Sequence, residues 1–114
     1  MTTTAALVRE LLRHFLRVGG YGGPEPRIYL RADQEFARAA RRHGLETAAH
    51  RDFAVTLFGG KMRPRTYVNT SRHTTLAELL DTCAHEAAHM VADVHRHTAR
   101  FNAIQRALLA GKMP

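Results

Sequence analysis

Five consecutive residues concentrate the chemistry of this 114-residue chain: His85-Glu86-Ala87-Ala88-His89. On an α-helix, at about 100° per residue, the two histidines lie about 40° apart on one face, so both imidazoles can reach one cation. Glu86 then projects beside them. A histidine pair four residues apart, with a glutamate after the first, is the arrangement that holds zinc and supplies a general base. A catalytic zinc takes three protein ligands and keeps one position open, so a third donor is required. His95 and His97 are the two candidates. Asp81, one turn before His85, is placed to accept a hydrogen bond from a ligand imidazole, and Asp93, one turn after His89, to orient that ring or add an oxygen ligand.

The elements that must position these groups are legible from periodicity. Beyond Thr75, apolar residues recur with helical period at Leu76, Leu79, Leu80, Cys83, Ala87, Met90, Val91 and Val94. Burying that stripe aims the histidines, with Glu78, Asp81 and Thr82, into a cleft where Ala88 and Ala92 leave room for an ion and a substrate. Phe101, Ile104 and Leu108 mark a last helix. At the other end, threonines 2 to 4 can cap an amphipathic helix that runs from Leu7 to Val18, with Arg9, Arg13 and Arg17 on its outer face. Gly19 to Pro26 contains four glycines and two prolines and predicts a mobile connection. Arg27 to Arg31 reads as a strand, and Asp33 caps a helix through Phe36, Ala37 and Ala40 to Gly44. Asp52 to Phe58 and Arg65 to Thr70 read as a hairpin. The expected class is α+β: one domain over residues 1 to 114, with a small antiparallel or mixed sheet packed on helices.

Composition narrows the function classes. The single cysteine, Cys83, excludes an internal disulfide framework and an all-cysteine metal site, and its place on the apolar face predicts an inert buried thiol. No apolar run is long enough for a membrane span, which predicts a cytoplasmic chain without a membrane partner. The net charge of +7 resides in residues 1 to 72, where 13 basic side chains face 6 acidic ones. Fifteen of the 17 basic residues are arginine, which suits phosphate contacts and makes nucleic acid a candidate partner of that surface. His14, His43 and His50 match no ligand spacing, and His73 is expected to pack at the entry to the histidine-bearing helix.

The choice of third ligand divides the readings. With His95, the pattern resembles the extended metzincin motif, except that Ala92 stands where that family turns the chain with glycine. With His97, the segment His97-Thr98-Ala99-Arg100-Phe101 opens the last helix, and the chain resembles the SprT-like zinc metallopeptidases over about residues 65 to 110. That resemblance implies a minimal zincin-like domain with zinc on His85, His89 and His97, Glu86 as general base, and Phe101 packing behind the His97 turn. It also implies a peptide or protein substrate, with DNA-associated proteins as a target class, and a substrate strand paired to Arg65 to Thr70 as the sheet edge. Tyr67, His73 and His95 are the candidate donors to a developing oxyanion. Two other readings stay open: a regulatory peptidase of the ImmA/IrrE sort that cleaves a repressor, and a non-catalytic zinc-containing module that binds nucleic acid.

Overall fold

A computed structural model describes residues 2–42, 53–59 and 61–114. Three strands, β1 (Arg27–Arg31), β2 (Ala54–Leu57) and β3 (Arg65–Asn69), form one sheet in the order β1-β3-β2. The expected hairpin is present as β2 and β3, paired antiparallel with Thr56 opposite Thr66. β1 joins the other side of β3 in parallel, with Tyr29 opposite Tyr67, so the sheet is mixed. This corrects one expectation. Arg65 to Thr70 is not a sheet edge, because β3 has a strand on each side and its Thr66 and Val68 are buried. Of the strands described, β1 and β2 are the edges.

Four helices complete the described residues: α1 (Ala5–Val18), α2 (Asp33–Arg42), α3 (Leu76–Ala92) and α4 (Ala99–Leu109). Thr4 caps α1 by accepting from the Leu7 backbone N–H at 3.1 Å. Thr75 and Glu78 start α3 with a reciprocal capping box, which satisfies two backbone donors at once. Asp93 ends α3 at φ 55°, a left-handed conformation that a short polar side chain tolerates better than most. The gap that follows is short, and Thr98 caps α4 by accepting from Phe101 N–H at 3.1 Å. Helix α2 is described as far as Arg42; its expected continuation to Gly44, together with His43, His50 and Asp52, lies outside the described residues.

The core explains why α3 holds its place. Val8, Leu12, Phe15 and Leu16 of α1 pack on Leu79, Cys83, Ala87 and Met90 of α3, and Phe101, Ile104 and Leu108 of α4 close another side. Ala88 and Ala92 are buried in this same cluster, at 0% and 4% exposure, so they allow close helix packing and do not open space for a substrate. Leu76, expected in the apolar stripe, is half exposed at the first turn. The glycine-rich connection is pinned: Arg13 of α1 bonds both carboxylate oxygens of Glu25, and Arg63 donates to the Glu25 carbonyl at 2.7 Å. Arg13 therefore anchors a loop, where the sequence gives only a solvated arginine stripe. No helix among the described residues is long and apolar enough to cross a membrane.

Candidate metal centre

His85 and His89 lie on one face of α3, and His97 reaches them from the connection just before the Thr98 cap. One ring nitrogen from each lies within 4.8 Å of the others, and His85 Nε2 is 3.1 Å from His97 Nε2. Tetrahedral zinc with bonds of about 2.05 Å places its ligand nitrogens about 3.3 Å apart. One pair already has that spacing, and the third nitrogen must move by at most about 1.5 Å. The donor set thus fits zinc.

Outer partners aim the rings. His89 Nδ1 is 2.9 Å from the Val94 carbonyl, an acceptor only, so this nitrogen carries the proton and Nε2 keeps its lone pair for a cation. His85 Nδ1 lies 3.2 Å from Gln105 Oε1, which fixes the same tautomer in that ring. Phe101, fully buried, packs against all three imidazoles, with ring centroids 4.9, 4.4 and 5.0 Å from those of His85, His89 and His97. Burial is the main force on the titration of the pair on α3. It pushes His89 down to about 4, and it lowers His85, where the nearby His97 adds to the effect and the Gln105 bond opposes it. Both are neutral at physiological pH, the form that binds metal.

The three histidines and Gln105 line a cleft of about 460 Å³. Asp81, Thr82 and Glu86 continue the α3 wall, and Phe53, Ala54, Val55 and Thr56 form the facing wall along edge strand β2. Glu86 is 2% exposed and faces this cleft beside the histidines. Its charge adds to burial in pushing the Cys83 thiol up to about 12, so Cys83 is inert as expected.

Of the expected site residues, His85, His89, His97 and Glu86 come together. His95 lines the cleft but lies outside the trio, its ring stacked on Phe58 at 4.2 Å between centroids. Asp81 also lines the cleft, yet the partner of His85 is Gln105, and the partner of His89 is the Val94 carbonyl instead of Asp93, which serves as the helix cap. Tyr67 points to the opposite side of the sheet, stacked on Tyr29 at 4.9 Å, and cannot assist at the cleft. His73 is buried with Nδ1 2.8 Å from the Asn69 carbonyl and Nε2 2.8 Å from Thr82 Oγ1, which ties the 3-10 turn Thr70–Arg72 to α3 as helix-entry packing. Sequence reasoning missed Gln105. The signal was available: Phe101 and Gln105, four apart, share one face of the last helix, and His97 lies four residues before Phe101.

Compared with protein-family models, with curated proteins and with solved structures, the chain matches none.

Proposed function

We propose that this chain is a zinc-dependent peptidase, a minimal SprT-like zincin in which His85, His89 and His97 hold the metal and Glu86 is the general base. The observation that carries the reading is the convergence of three imidazole nitrogens at one wall of a cleft that Glu86 also lines. When bound, zinc supplies Lewis acidity, bringing the attacking water toward a pKa of about 7 and polarising the scissile carbonyl. The rest is work for the chain. Glu86 takes the proton from the water and delivers it to the leaving amine, a transfer that its buried position beside the ligands supports. Edge strand β2 offers the backbone groups on which an extended substrate can pair, next to α3. His95 is the one of the three expected oxyanion donors that reaches the cleft.

The repressor-cleaving alternative needs an acidic third ligand, and the third member of this cluster is His97. Glu86→Gln separates an enzyme from a zinc-stabilised binding module. Hydrolysis of an unfolded protein substrate by the zinc-loaded chain should fall at least a hundredfold in Glu86→Gln while zinc content and melting temperature hold. Equal activity in the variant would overturn the assignment of Glu86, and absence of hydrolysis by the unmodified zinc-loaded chain on any unfolded protein would overturn the peptidase.

A further inference from the structure

A second cleft, of about 330 Å³, lies on the side of the sheet away from the histidines and shares no residue with their cleft. Arg31 of β1, Arg38 and Arg42 of α2 and Tyr67 of β3 line it, with Glu35 as the one acid. Among the described residues, no ion pair involves Arg31, Arg38 or Arg42, whereas Arg13 and Arg72 are both paired. Arg31 is held in place: its guanidinium lies 5.7 Å from the centre of the Tyr29 ring, and one of its nitrogens donates to the Leu30 carbonyl at 2.7 Å. Tyr29 in turn stacks on Tyr67, at 4.9 Å and 19° between planes, so an aromatic pair adjoins the arginines. One step further along the same face, Arg27 stands directly opposite Arg65 in the parallel ladder. Like charges in that position oppose folding, and an anionic ligand offsets the repulsion.

We propose that this cleft binds the phosphate groups of a phosphate ester, held by Arg31, Arg38 and Arg42. Arginine forks match phosphate oxygens two at a time. The same chemistry is presented by a free nucleotide and by a single strand of nucleic acid, where Arg27 and Arg65 would meet further phosphates. The site stands apart from the peptidase reading, since no metal ligand contributes to it.

The probes are inorganic phosphate, adenosine monophosphate and a short labelled single-stranded oligonucleotide, titrated at low salt by fluorescence anisotropy and by competition. Arg38→Gln/Arg42→Gln should weaken oligonucleotide binding tenfold or more and reduce the salt slope by about 1.4, the loss of two single-strand phosphate contacts. Arg9→Gln/Arg17→Gln on α1, equal in charge change, should leave binding within about twofold. Competition by the mononucleotide at full strength identifies a free nucleotide as ligand, whereas affinity that grows with strand length identifies nucleic acid; either supports the site. No binding of any probe at low salt, or a larger loss in the α1 variant than in the cleft variant, would overturn it. Treatment with chelator should leave these affinities unchanged, which separates this outcome from any failure of the metal site.

Discussion

Gln105 offers a sharp test of how the metal centre is organised, because its role depends on packing between two helices and not on the five-residue motif. Its Oε1 accepts from His85 Nδ1–H at 3.2 Å and holds the ring so that Nε2 faces His97. Gln105→Ala removes that acceptor and frees the ring to rotate. Loss of such an outer partner costs metal affinity about 10-fold to 100-fold, or about 1.4 to 2.7 kcal/mol. The cost to folding is smaller, about 0.5 to 1.5 kcal/mol, since Gln105 is half-buried and water can replace its bond. Gln105→Glu should act in the opposite direction on affinity, because a carboxylate makes His85 a more basic ligand. Competition with a chromophoric zinc chelator reads the affinity, and urea denaturation of the metal-free proteins reads the folding term. Zinc affinity within twofold of the unmodified chain in Gln105→Ala would refute the reasoning.

Three further outcomes follow from the same geometry. Phe101→Ala should destabilise the metal-free protein by about 3 to 5 kcal/mol in urea denaturation, because a fully buried ring is lost beneath the three imidazoles, while Phe101→Leu should cost much less. The metal-free protein should lose stability as pH falls from about 6.5 toward 4: His89 is held down to about 4 when folded but titrates near 6.5 when unfolded, so between those values the unfolded chain binds more protons. Denaturation midpoints of the metal-free protein should accordingly be flat above pH 7 and fall below it, and His89→Gln should flatten the decline. His73→Phe should cost about 1 to 3 kcal/mol by thermal or urea unfolding, since the Asn69 carbonyl and Thr82 hydroxyl both lose a partner, with little effect on zinc affinity.

The sequence was most informative where structure is local. Helix α1 extends from its Thr4 cap to Gly19, α3 from the Thr75 capping box, and β2 with β3 from a run of β-branched and aromatic residues, all within a few positions of the expected limits. That His85 and His89 share one face was legible for the same reason, since they are one turn apart; spacing alone left His95 and His97 open as the third donor, and the structure brings His97 to the pair. What was hidden depends on pairings distant in sequence. Nothing in Arg65 to Asn69 reveals that β1, separated from it by α2 and β2, lies alongside in parallel and makes β3 interior. The direction of Tyr67 depends on that sheet, and the choice of Gln105 over Asp81 depends on how α4 rests on α3. Ala88 and Ala92 show how one residue type serves two ends: small side chains suit an open cleft and equally a close helix contact, and the packing of the neighbouring helices decides between them.

The most direct test of the account is the zinc content of the purified chain, measured in parallel with His95→Ala and His97→Ala. Three-imidazole coordination at this site predicts about one zinc per chain, retained in His95→Ala and lost in His97→Ala, with each variant still folded by circular dichroism. Zinc retained without His97, zinc lost on changing His95 alone, or a folded unmodified chain that takes up no zinc would contradict it.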